Sequence, residues 1–181
     1  VVVRLIIKVG GNMSPVERSL YLLQSARFFT LASRSLDGRV WASTVNYVPA
    51  FTPLRVIWCS MRLSRHSENI RQYSQVSGSV FRTDLQDAPP PGLDGAQFIG
   101  VSREIPTDES AEFYDYFSHY NFPDEAIRAE WMPPLSEFTG NGLRRFYELT
   151  ISEWWLLDID QWQVTREDRR IAVNIDTLIN K

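Results

Sequence analysis

The stretch "FFTLASRSLDGRVWASTVNYV" at 28–48 decides how this chain is built. Two runs rich in β-branched and aromatic residues flank Leu36, Asp37 and Gly38. Asp-Gly between such runs is a strong hairpin signal, because glycine accepts the left-handed backbone that a tight turn demands. The stretch therefore predicts two antiparallel strands. "AFTPLRVIWCSM" at 50–61 repeats the logic, with a turn around Pro49–Pro53 and a strand through 54–61.

Working outward, "SPVERSLYLLQSA" at 14–26 predicts a helix. Ser14 is its cap, Pro15 its first residue, and Glu17 completes a capping box. A short helix is expected at 65–75 and a strand at 76–83. "DLQDAPPPGLDG" at 84–95 reads as a loop, because consecutive prolines remove backbone donors. A strand is expected at 96–105. A helix at 107–121 is capped by Thr107 or Asp108, with Phe113, Tyr114, Phe117 and Tyr120 along one side. Residues 122–143 are rich in Pro and Gly and predict irregular structure with one helical turn near 124–131. The C-terminal part reads as strands, with turns near Ser152 and near Arg166–Arg170. On such strands Trp154 and Trp155 point to opposite faces, whereas Asp158 and Asp160 share one face and form a solvated edge.

The sum is six to eight strands and three short helices. Strands that arrive as hairpins imply an antiparallel, closed sheet, and thus a mainly β fold. No strand–helix alternation and no glycine-rich phosphate loop supports a Rossmann or P-loop nucleotide site. One domain is expected over 14–181, with residues 1–13 as an N-terminal extension or a tag remnant.

Composition narrows the function classes. The 181 residues carry a net charge of −3 and no basic run, which argues against nucleic acid as a partner. One cysteine excludes an intramolecular disulfide framework, and with two histidines it gives no basis for a protein-built metal site. No apolar run reaches the ~18 residues of a membrane span, so no membrane association is expected. The cytoplasm is the expected compartment by default. Aromatics make up 13% of the chain and six of them are Trp, which suits a barrel core, a subunit interface or a planar ligand.

The candidate chemistry sits in "SRHSENIRQYSQV" at 64–76. Arg65 and His66 fall in the first turn of a helix, where the dipole disfavours cations. Their presence makes sense if a dianion lies before them. The guanidinium fork matches phosphate oxygens, and Ser64 and Ser67 add hydroxyl donors. The plainer alternative is a solvated helix start with two incidental cations. Elsewhere, His119 reads as a packed or surface histidine and Cys59 as an inert core thiol.

The order of four segments resembles the FMN-binding split barrels related to pyridoxamine 5′-phosphate oxidase. They are the opening helix, "FFTLAS…DGRVWASTVNYV", "VIWCSMRLSRHSENIRQYSQVSGSVF" and "GAQFIGVSREI". The resemblance runs from about Val16 to Ile105, with a weaker echo over 144–160, and fits an uncharacterised subgroup best. It implies a six-stranded antiparallel split β-barrel of Greek-key type with peripheral helices. It also implies a homodimer with FMN between subunits. In that likeness Arg65 and His66 match the two basic phosphate ligands, and Ser64 the serine before them. Trp58, Cys59 and Ser60 match the strand passing the ribityl chain and phosphate. Ser43, Thr44, Val45 and Asn46 match the strand bordering the flavin ring, and Gln97 a ring contact. His66 replaces the usual Lys, which lessens the charge at neutral pH. The implied function is a flavin-dependent oxidoreductase acting on a small substrate. The oxidase activity that names the family is not expected, since no C-terminal Arg and His match its substrate-phosphate ligands. The alternatives are a non-catalytic protein binding a flavin or another anionic cofactor, and a barrel that has lost its cofactor and serves as an interaction module. FAD, a deazaflavin or haem stand as alternative ligands to FMN.

Overall fold

A computed structural model describes residues 13–82 and 94–179. The extension expected at 1–13 falls outside the described residues except for Met13, as does most of the loop expected at 84–95. Helix α1 (Pro15–Ser25) starts as its sequence requires: Ser14 Oγ accepts from the Glu17 backbone, and the Glu17 carboxylate accepts from Ser14 N. β1 (Phe28–Arg34) and β2 (Val40–Asn46) form the expected hairpin, registered from Phe28↔Asn46 to Arg34↔Val40. Gly38 turns it at φ +82°, a conformation few other residues tolerate.

The second hairpin is tighter than expected. β3 (Val48–Phe51) and β4 (Leu54–Met61) meet at Thr52–Pro53, so Pro49 lies inside a strand and not in a turn. β3 is an edge of the sheet, where a residue without an N–H leaves no ladder bond unmade. α2 (Arg65–Gln72), β5 (Gln75–Phe81) and β6 (Gly95–Glu104) follow within two or three residues of the expected bounds. α3 (Ser110–Asn121) begins later than expected. Its cap position is Glu109, because Thr107 belongs to the preceding turn. α4 (Glu125–Trp131) is a complete short helix capped by Asp124, and a 3-10 turn follows at Leu135–Phe138.

The C-terminal part departs most from expectation. β7 (Arg144–Leu157) runs unbroken through Ser152. Its pairing with β6 passes from Ile99↔Glu153 to Gly100↔Ile151, so Ser152 forms a bulge and not a turn. Gly100 is required opposite: a Cβ there would come within 2.1 Å of the Thr150 carbonyl oxygen. Next comes a helix, α5 (Ile159–Thr165), where a strand was expected. Asp158 Oδ1 accepts from Gln161 N at 3.1 Å, so this aspartate is a helix cap. Asp160 lies in the first turn, and the two acids share no strand face. β8 (Arg170–Val173) then pairs with β7, and α6 (Asp176–Ile179) packs back toward α1.

The described strands number eight, not six, and every pairing is antiparallel. The order β2-β1-β5-β6-β7-β4-β3 curls so that β2 comes back to touch β4 across a seam. α2 sits at this seam against β1, β2 and β6.

Inside the curl lies an aromatic core. Trp58 stacks on Tyr147 and meets Phe29 edge-on, and Phe98 lies parallel to Trp154 at 5.5 Å. Such pairs contribute roughly 0.5–1.5 kcal/mol each beyond their buried area. A second core covers the outer face of β3, β4 and the first half of β7. There Phe113 and Phe117 of α3 and Phe138 of the 3-10 turn pack on Ile57 and Phe146. The outer face of β2, β1, β5 and β6 has no such cover among the described residues. Phe28, Phe81 and Val101 on it are each more than half exposed.

Candidate anion site at the barrel seam

Strand alternation delivers two serines to the seam, and the turn after β4 brings a third. On β2, Trp41, Ser43 and Val45 point inward, and on β4 Trp58 and Ser60 do. The turn at 62–64 then drops α2 across the gap, with Ser64 at its cap. His66 is only 8% exposed although it lies in the first helical turn. Its Nε2 is 2.7 Å from Ser60 Oγ and its Nδ1 3.1 Å from Ser43 Oγ. Ser64 Oγ lies 3.2 Å from Nε2 and 3.4 Å from Nδ1, serving neither nitrogen squarely. Burial holds the imidazole below its ordinary value of 6.5, so the ring is neutral at pH 7.

The hydroxyls continue as a chain. Ser64 Oγ is 2.8 Å from Ser67 Oγ, and Ser67 donates to the Met61 carbonyl at 2.9 Å. Ser64 makes no side-chain bond to the backbone N–H groups of the first turn, so α2 begins without a side-chain cap. Arg65 projects outward over the Trp41 ring, 4.8 Å from its centre. A guanidinium stacked in this way is held by its face, and its in-plane donors stay available.

The expected site residues separate into three groups. Ser43, Ser60, Ser64 and His66 come together, with Arg65 beside them. Thr44 and Gln97 point the other way, onto the uncovered outer face, in one lateral row with Thr30, Ser79 and Trp155. Asn46 shares that parity and donates to the Arg27 carbonyl at 2.8 Å, while Gln97 accepts from Arg170 Nε at 2.7 Å. Val45 and Trp58 are core residues; the Trp58 indole N–H has no hydrogen-bond partner among the described residues. Cys59 faces the second core, where burial pushes its thiol up to about 11 and leaves it unreactive.

Sequence reasoning did not single out Trp41 for the site. Its position two residues before Ser43, on the same strand face, was the available signal. Nor did it find Tyr147, whose hydroxyl donates to Glu104 at 2.8 Å and lies within reach of Ser67.

No protein-family model matches the chain, and no curated relative does. Solved structures do match, at identities that speak for the fold alone. A haem-binding protein from Mycobacterium smegmatis is 16% identical, with a TM-score of 0.62, over 94% of this chain and 62% of that one. The chain therefore spans about three-fifths of that protein's length. An FAD-binding protein from Mesorhizobium loti is 18% identical, with a TM-score of 0.56, over 78% of this chain and 92% of that one. A candidate pyridoxamine 5′-phosphate oxidase from Listeria innocua is 13% identical, with a TM-score of 0.56, over 80% and 99%. The fold is that of the pyridoxamine 5′-phosphate oxidase-like split barrels. Among the described residues, no helix is long and apolar enough to cross a membrane.

Proposed function

We propose that this chain binds FMN as a homodimer and serves as a flavin-dependent oxidoreductase for a small substrate. One observation carries the reading. A neutral histidine, three serine hydroxyls and a stacked arginine converge at the seam of a fold whose solved neighbours include an FAD-binding protein. Ser43, Ser60, Ser64 and Arg65 would hold the phosphate. Thr44 and Gln97 would border the ring on the uncovered outer face, which a second copy would close. The flavin supplies the electron chemistry, and the chain supplies position and a water-poor setting.

The absorption spectrum of the protein as isolated tests the reading. An oxidised-flavin spectrum, or one restored by FMN titration, is expected. A colourless protein that FMN leaves unchanged defeats it. Bleaching by NADH or NADPH with reoxidation in air is expected of the enzyme, and its absence leaves a binding protein only.

The haem-binding neighbour supports a second reading, haem as the ligand. Both ring nitrogens of His66 are engaged, so a histidine ligand would have to be His119 on α3. Its Nδ1 lies 2.7 Å from the Asp115 carbonyl, and a donor there leaves Nε2 as the free lone pair. A Soret band lost in His119→Ala would establish this alternative.

A further inference from the structure

His66 lies between two hydroxyls from different strands, Ser60 on Nε2 and Ser43 on Nδ1. A neutral imidazole has one N–H and one lone pair. One of the two serines must therefore give its proton to the ring. An imidazolium donates on both sides, which frees both hydroxyl protons to point elsewhere. We propose that His66 is the positioning residue of the seam: it takes up a proton as a phosphate monoester binds, donates to Ser43 and Ser60 together, and so aims both hydroxyls at the phosphate. This rests on the reading of the seam as the cofactor's phosphate site.

The surroundings favour such a change. The charged groups on the elements packed around α2 are committed elsewhere. Arg34 of β1 lies over Tyr73, and Arg39 beyond β1 pairs with Asp37. Glu104 of β6 pairs with Arg71 and accepts from Tyr147, and Arg103 binds Glu109 and Glu148. On β4 Arg55 pairs with Glu148, and on β7 Arg144 pairs with Glu137 while Arg145 donates to the carbonyls of Gly140 and Gly142. On α2 itself Arg65 stacks on Trp41 and Glu68 points to solvent. None of these groups bonds to the imidazole among the described residues. Burial alone sets the ring's preference in the empty protein, and it favours the neutral form. A dianion in contact with the flanking hydroxyls reverses that preference.

The sign follows. The ring titrates below its ordinary value when empty and higher when the phosphate is bound. Between those two values binding takes up a proton, and affinity rises as pH falls, by up to about tenfold per pH unit. A doubly charged monoester gains most, so FMN is favoured over a ligand whose phosphates are diesters.

The test is calorimetric titration of FMN into the full chain between pH 7 and 8.5, in two buffers of different ionisation heat. Riboflavin, which lacks the phosphate, is the control ligand. Wild-type protein is expected to take up part of a proton with FMN and none with riboflavin. His66→Gln keeps one donor and one acceptor; it is expected to bind riboflavin as before and FMN several-fold more weakly, with the uptake gone. FMN binding with no uptake in wild type, or with the same uptake in His66→Gln, overturns the proposal and leaves the phosphate site standing. Failure of both flavins to bind wild-type protein overturns the reading of the site and the proposal with it.

Discussion

The outer face of the curled sheet has two halves that the chain treats differently. Over β3, β4 and the first half of β7, α3 and the 3-10 turn lay down an aromatic layer, with Phe138 stacked on Phe146 at 4.5 Å. Tyr116 ties that cover to the edge strand by donating to the Pro49 carbonyl at 2.7 Å. Over β2, β1, β5 and β6 the described residues lay down no such layer, and only the β6 margin is reached, by Arg170 of β8 at Gln97. An antiparallel sheet can leave one face to water, and then that face reads as polar. Here it carries Phe28, Phe81, Val101 and Val40, the last 81% exposed. The first half is finished within the chain. The second leaves those apolar side chains at the surface, among Thr30, Thr44, Ser79 and Gln97. The candidate anion site lies where the two halves meet, between β2 of the bare half and β4 of the covered one.

This contrast can be broken by mutation, and the covered half gives the largest effect. Phe146→Ala removes a fully buried ring from between Phe138 and Phe117 and is expected to cost about 3–5 kcal/mol in urea unfolding. Phe81→Ser on the bare half, measured with the chain held as a single copy, is expected to stay within about 0.5 kcal/mol, as exposed substitutions do. Equal losses would mean that the two faces do not differ.

At the seam, Arg65→Ala should weaken FMN binding by about 1.5–3 kcal/mol, the range for charge-assisted bonds. Trp41→Ala should cost about 0.5–1 kcal/mol through the lost stacking, and nothing further once Arg65 is gone. Additive losses in the double variant would show that Trp41 does not act through Arg65.

The bare half can be probed by charge. Val101→Arg should leave the fold intact by circular dichroism and convert the sedimenting species from two copies to one, with the melting temperature lowered by the loss of the partner. A wild-type protein that sediments as a single copy would end the view of this face as a subunit interface.

The smallest effect is a pH dependence. His66 is held neutral by burial, so its pKa is depressed on folding. Stability from this group is complete above the unfolded value of about 6.5 and declines as pH falls toward the folded value. The ligand-free protein should thus melt earlier at pH 5.5 than at 7.5 by a margin that His66→Gln removes.

Local chemistry explains which parts were legible in the sequence. The Ser14 cap and the Asp37-Gly38 turn act within a few residues, so they could be read directly. Pro49 misled because its tolerance depends on β3 being an edge, which only the assembled sheet decides. Ser152 misled because a bulge and a turn draw on the same small polar residues; the distinction lies in Gly100 on the neighbouring strand. Asp158 and Asp160 looked like strand alternation until the cap to Gln161 gave the segment a helix. The site was half legible. Ser43, Ser60, Ser64 and His66 do converge, but the inward turn of His66 depends on hydroxyls 23 and 6 residues away, which no local pattern reports.

The unbroken course of β7 has a consequence for how this chain loses its structure. The strand hydrogen-bonds β6 along its length, β4 before the bulge and β8 after it. It acts as a splice: the covered half cannot fray without loosening the strand that the bare half also needs. The two halves should melt as one cooperative unit. Amides of 146–149 at the splice should exchange with solvent only through global opening, and those of edge strand β2 through local opening at lower cost.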